Sequence, residues 1–143
     1  MTPKLLVAAF AAEDRPYVDR AIEHGIDVRI LDCFEDVHAL VQFWYKRRSI
    51  HVPAQKQSVK SAVGKEYFDM AVIRDTPHDF VRAALLAQTL REANVGQVVV
   101  VANDASRVPI YRRCGAHQVV ISEHPVEFWT QLEQRLLSQV TAS

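Results

Sequence analysis

Six short apolar runs, each parted from the next by a longer stretch of helical period, leave this chain little choice of architecture. Lys4–Phe10, Ile26–Leu31, Ser49–Val52, Met70–Ile73, Val98–Val101 and Gln118–Ile121 read as strands. Between and after them, Arg15–His24, a segment carrying Val37, Leu40, Val41 and Trp44, then Ser58–Val63, His78–Asn94, Ser106–Cys114 and Val126–Val140 read as helices. Strand and helix in strict alternation give βα units, a mainly parallel sheet and helices on both faces. Val98–Val101 is the most uniformly apolar run, which suits a central strand covered on both sides. The long helix over His78–Asn94 spreads its apolar residues broadly, so cover on more than one side is expected. With no linker or repeat, residues 1–143 are expected to form one doubly wound α/β domain.

Charge excludes several classes of partner. Seventeen basic side chains balance seventeen acidic ones, so neither nucleic acid nor an anionic membrane has a footprint to meet. Lys46-Arg47-Arg48 is the one basic run and reads as a solvated helix end. No apolar stretch nears the roughly 20 residues a bilayer crossing needs, so direct membrane insertion is not expected. Met1 leads into a strand without a signal-peptide pattern. Cys33 and Cys114 lack metal or redox spacing and read as reduced thiols. A cytoplasmic protein is the expectation.

The four glycines, Gly25, Gly64, Gly96 and Gly115, each stand after a helical stretch and before a strand. That is where helices end in a left-handed residue, which glycine adopts without a Cβ penalty. All four are therefore assigned to helix stops, and none is left for the first strand-to-helix turn, where a dinucleotide site needs them. No cofactor is expected.

Three late segments carry a resemblance. Tyr67-Phe68-Asp69-Met70-Ala71-Val72-Ile73 enters the turn Arg74-Asp75-Thr76-Pro77-His78-Asp79. Gln97-Val98-Val99-Val100-Val101-Ala102-Asn103-Asp104 follows, then Cys114-Gly115-Ala116-His117-Gln118-Val119-Val120-Ile121. Over about residues 4 to 123 this layout resembles the N-terminal Rossmann domain of the TrkA family, the RCK or KTN domain that regulates potassium channels and transporters. The resemblance implies a Rossmann-like sheet, a homodimer formed through that domain, and a membrane transporter or other protein as partner.

Setting Gly25 against the family's glycine before the second strand places its GxGxxG on Ala9-Phe10-Ala11-Ala12-Glu13-Asp14. The glycine positions become Ala9, Ala11 and Asp14. Asp14 also reads as the N-cap of the first helix, with Pro16 in the opening turn. A capping carboxylate uses the orphan amides that a phosphate would need and adds like charge beside it. Asp32 matches the acid that contacts ribose hydroxyls at the end of the second strand. Where the family has a Gly-Asp pair after the third strand, this chain has Val52-Pro53-Ala54-Gln55.

Two polar turns complete the carboxyl edge of the sheet, where open α/β folds bind ligands. Asp75, Thr76, His78 and Asp79 read either as a helix entry or as ligand contacts, and Asn103, Asp104 and Ser106 share that ambiguity. The turn is too short to close a metal site alone, and no metal is expected. No GxSxG elbow, Walker loop or local Cys-His-Asp motif supports catalysis. Phe128, Trp129, Leu132, Leu136 and Val140 form a core stripe on the last helix. With Phe43, Trp44 and Tyr45 they leave room for a subunit interface.

The expectation is a non-catalytic regulatory or assembly domain that has lost ordinary dinucleotide binding. One alternative is a small-molecule or nucleotide sensor using an altered crevice. Its ligand-binding candidates are Ala9, Ala11, Asp14, Asp32, Asp75, Thr76, His78 and Asn103. Another is a degenerate receiver-like signalling domain, suggested by Glu13 and Asp14 after the first strand, although no lysine follows Ile121.

Overall fold

Every apolar run becomes a strand of one sheet in the computed structural model, which describes residues 2–76, 80–122 and 124–142. The strands are β1 (Lys4–Ala9), β2 (Asp27–Asp32), β3 (Ser49–His51), β4 (Met70–Arg74), β5 (Val98–Ala102) and β6 (Gln118–Ile121). The helices are α1 (Arg15–Glu23), α2 (Glu35–Tyr45), α3 (Lys56–Gly64), α4 (Phe80–Glu92), α5 (Val108–Arg113) and α6 (Pro125–Ala142). Neighbouring strands are parallel, in the order β3-β2-β1-β4-β5-β6. The chain winds outward from β1 to β3, then returns to lay β4 on the other side of β1. The carboxyl ends of β1 and β4 therefore flank the point where the order reverses, the usual ligand crevice of such sheets.

Side chains alternate across each strand and so feed two cores. Leu6, Ala8, Ile73, Val98 and Val100 face α3, α4 and α5, with Val63, Ala87, Leu90 and Tyr111 packed on them. Leu5, Val7, Ile30, Val72 and Val99 face α1, α2 and α6. Phe128, Trp129, Leu132 and Leu136 from α6 are all buried in that second core, as their spacing predicts. Deleting one such side chain to alanine costs about 2–5 kcal/mol. Glu133 fastens the same helix to α1 through Arg20 (3.4 Å) and His24 (3.0 Å). All five residues of β5 are buried, in keeping with its interior position.

One expectation changes. Gly25 and Gly115 do take left-handed backbone, φ +91° and +110°, but Gly64 closes α3 within the helix, and the left-handed residue after α4 is Asn94 at φ 63°. Gly96 is needed for space instead, because a Cβ there would lie 2.7 Å from the Asp69 carbonyl oxygen. The cover expected for α4 on more than one side is present, from β4 and β5, α3 and α5, while Val81 and Leu85 stay 54% and 58% exposed. The small residues Ala83, Ala84 and Ala87 of α4 are buried together with Leu86 and Leu90 in the core. Its start at His78 lies outside the described residues, as does the Val140 side chain. Among the described residues no helix is long and apolar enough to cross a membrane.

Candidate functional site

The turn after β1 differs from a phosphate loop in a specific way. Ala11 takes the extended conformation of a helix-entry residue (φ −128°, ψ 156°), and a three-residue 3-10 turn, Ala12–Asp14, leads into α1. Asp14 is already helical (φ −78°, ψ −15°), so its side chain cannot reach forward as the N-cap anticipated from sequence. It reaches back, as the acid at the third position of a capping box does. Oδ2 accepts the Ala11 amide hydrogen at 3.1 Å, and Oδ1 accepts from the Arg74 guanidinium. Asp14 is 2% exposed. Burial raises its carboxyl above the ordinary 3.8, and the Arg74 charge is the largest influence opposing that rise. The Trp129 indole shares a small void with this pair and favours the carboxylate, but its N–H makes no hydrogen bond of normal geometry among the described residues.

Beside this pair lies the crevice at the switch point, about 140 Å³, lined by Ala9, Ala11, Arg74, Thr76 and Arg82 among others. Its wall is Phe34, whose ring carries the Arg82 guanidinium at 3.9 Å; Arg82 also pairs with Asp36 at 3.1 Å. Behind that wall a more apolar groove of about 340 Å³ runs between α3 and α4, past Cys33, Val59 and Leu85. Burial pushes the Cys33 thiol up to about 11, the reverse of an activated nucleophile.

Asp32, the last residue of β2, does not line the switch-point crevice. It is 1% exposed, and Oδ2 makes hydrogen bonds of 2.7 Å with both His38 Nδ1 and Gln42 Nε2. The His38 ring stacks on His51, centroids 4.6 Å apart.

The turn after β4 is held shut by a second acid–arginine pair. The Asp75 side chain is fully buried, and Arg107 Nη1 donates to Oδ1 at 3.1 Å and Oδ2 at 2.9 Å. The same nitrogen reaches the Thr76 carbonyl at 3.4 Å. Asp104 accepts from the Ser106 amide at 2.9 Å, a cap in geometry, while Asn103 stands exposed beside it. His78 lies outside the described residues.

The anticipated residues thus separate. Ala9, Ala11 and Thr76 come together in the crevice, Asp14 and Asp75 are occupied by arginines, and Asp32 turns towards histidines. Arg74, Arg107, His38 and His51 were not anticipated. A charged residue directly ending an apolar strand, as Arg74 does, was the available signal. Arg107 sits in a turn with no such mark.

No protein-family model and no curated protein matches the sequence. Solved structures do match in shape. The NAD(P)-binding domain of an exopolyphosphatase-related protein from Archaeoglobus fulgidus superposes with TM-score 0.62 at 15% identity, over 97% of this chain and 98% of that one. The TrkA-N domain of the Escherichia coli inner membrane protein ybaL gives 0.63 at 15% identity, over 94% and 97%. A CheY-like response regulator receiver domain from Methanospirillum hungatei gives 0.60 at 12% identity, over the full length of both. The fold is common to TrkA-N and receiver domains. At these identities the likeness concerns architecture alone, a six-stranded parallel, Rossmann-like sheet with helices on both sides.

Proposed function

We propose that the protein is a non-catalytic regulatory domain of Rossmann type in which ordinary dinucleotide binding has been lost. The observation that carries this reading is the buried Asp14 carboxylate holding the Ala11 amide and the Arg74 guanidinium at once. The pair is net neutral, so the obstacle to a pyrophosphate is occupation rather than repulsion. A phosphate entering the turn would have to displace a carboxylate from both of its partners and leave it buried beside a second anion. The protein then acts through assembly, with a second copy or a transporter as partner, and exposed Phe43, Val81 and Leu85 offer apolar contact for it. The test is calorimetric titration of the purified protein with NAD, NADH and ATP. The expected dissociation constants are weaker than about 1 mM. Micromolar binding of any of the three overturns the reading.

The crevice itself favours a second reading, a sensor of a small anion. Two arginines, Arg74 and Arg82, and the acid Asp36 line a volume of about 140 Å³ there, too small for a dinucleotide but adequate for a phosphate-sized group. Such a group would have to share the arginines with their partners Asp14 and Asp36. Native mass spectrometry of the purified protein would reveal such a ligand as a discrete added mass. A chain that stays at its bare mass in the presence of millimolar phosphate or adenosine monophosphate rules it out. Phosphotransfer of the receiver kind is not part of either reading, since both Asp75 oxygens are held by Arg107.

A further inference from the structure

We propose that Asp32, His38 and His51 form a binding site for a divalent first-row transition cation of the Zn²⁺ class. The three residues come from three elements that the topology brings to one point. Asp32 and His51 are register partners at the carboxyl ends of the adjacent parallel strands β2 and β3. His38 lies in the early part of α2 and turns its ring back onto the strand ends, where it stacks on His51. One ligand atom from each of the three lies within 4.8 Å of the other two. Ligand atoms of a tetrahedral zinc site stand about 3.4 Å apart. The remaining closure, up to about 1.4 Å, falls to two imidazoles that are partly or fully open to solvent and so have rotamer freedom to move.

A second observation points to a missing ligand. Oδ2 of Asp32 is fully engaged by His38 and Gln42, but Oδ1 is buried and has no hydrogen-bond partner among the described residues. An orphaned carboxylate oxygen in a buried position is rare in folded proteins and calls for a cationic or donor partner. Gln42 is itself fixed, since its Nε2 also reaches Ser49 Oγ at 3.2 Å. It therefore acts as the outer-shell group that orients a metal-ligating carboxylate. The donor set selects the cation class. Two imidazoles and one carboxylate suit Zn²⁺, Co²⁺ or Ni²⁺, whereas Mg²⁺ and Ca²⁺ demand all-oxygen shells. Three protein ligands leave a position facing solvent for water or an exogenous donor. The acid that would read a ribose in a dinucleotide domain is on this assignment an inner ligand of a cation.

The test is calorimetric titration of the metal-free full chain with ZnCl₂, paralleled by Co²⁺ absorption spectra, with the same titrations on His38→Gln, His51→Gln and the exposed-histidine control His124→Gln. The expected result is one equivalent of Zn²⁺, a Co²⁺ spectrum of four- or five-coordinate intensity, and a loss of at least tenfold in affinity in each of the first two variants but not in the control. His51 is exposed at a strand end, so His51→Gln keeps the fold, which circular dichroism checks. Zn²⁺ binding that is unchanged in the His38→Gln, His51→Gln double variant overturns the proposal. So does the absence of binding tighter than about 100 μM, or a site that takes Mg²⁺ in preference to Zn²⁺.

Discussion

Arg74, the last residue of β4, sets its guanidinium on the carboxylate of Asp14, sixty positions earlier in the chain. The Asp14 side chain is 3% exposed and that of Arg74 28%, so removing the cation strands a charge that water cannot reach. Arg74→Met keeps the apolar stem and deletes the charge. It is expected to cost roughly 2–4 kcal/mol, just under the range for a fully buried pair because Arg74 is partly wet. Asp14→Asn with Arg74→Met together should cost less than Arg74→Met alone, since no charge is then left unpaired. Urea unfolding of the four proteins closes the cycle, and strictly additive costs would deny the coupling.

Protonation of Asp14 carries its own signature. Burial raises the folded carboxyl above 3.8, with Arg74 opposing it. Between the unfolded and folded values the native state therefore holds more proton than the unfolded chain, and the stability slope with pH is negative. The contribution of this group is fully present below the unfolded value and is lost as pH rises through the folded one. Arg74→Met removes the main opposing influence, so its loss should run further upward in pH than that of the wild type. Asp14→Asn should remove the dependence. Unfolding free energies measured from pH 4 to 7 check the sign, and a wild-type minus Asp14→Asn difference that grows with pH would contradict it.

The glycines separate by cause, and alanine substitution reads the separation. Gly64 is helical with open space around its α-carbon, so Gly64→Ala should gain about 0.5–1 kcal/mol. Gly25 is left-handed with the same open space, so Gly25→Ala should cost about 1–2 kcal/mol from backbone alone. Gly115 adds a collision, since its Cβ would stand 2.9 Å from Cβ and Cγ of Arg91, and Gly115→Ala should cost more than Gly25→Ala. Thermal melts of the three variants should rank in that order.

Much of this fold was legible because strand and helix periods differ and because β5 is apolar throughout. Boundaries moved by one or two residues, mostly at element ends; the start of α1 stayed at Arg15, and that of α5 moved to Val108 because a 3-10 turn, Ala105–Arg107, precedes it. The site was less legible. Asp14 was identifiable as an acid in a phosphate turn, but its direction depends on Ala11 being the extended entry residue, a matter of one backbone angle. Arg74 and Arg107 pair with acids far away in sequence, and no local period encodes such pairs. His38 and His51 meet only because β3 lies beside β2, and sheet order is not written in either strand. The glycine pattern misled at Gly64 and Gly96 because one residue type serves both backbone freedom and close approach.

His117 supplies a pH response of opposite sign to that of Asp14. Its Nδ1 accepts the Val98 amide hydrogen at 2.9 Å while its own amide donates to the Val98 carbonyl at 2.9 Å, a two-way bridge where β6 begins beside β5. A backbone N–H can only donate, so this ring must keep a lone pair on Nδ1 and be neutral. Desolvation, followed by the nearby Arg91 charge, holds its pKa below the ordinary 6.5. The folded state then binds fewer protons than the unfolded chain between the two values, and stability is lost as pH falls from 6.5 through the folded pKa. The residue is largely exposed, so the loss should be small. His117→Asn, whose carboxamide oxygen can accept the same hydrogen bond without titrating, should show none of it. Imidazole resonances followed by NMR give the pKa directly, and a midpoint above 6.5 would mean that the bridge to Val98 does not persist in solution.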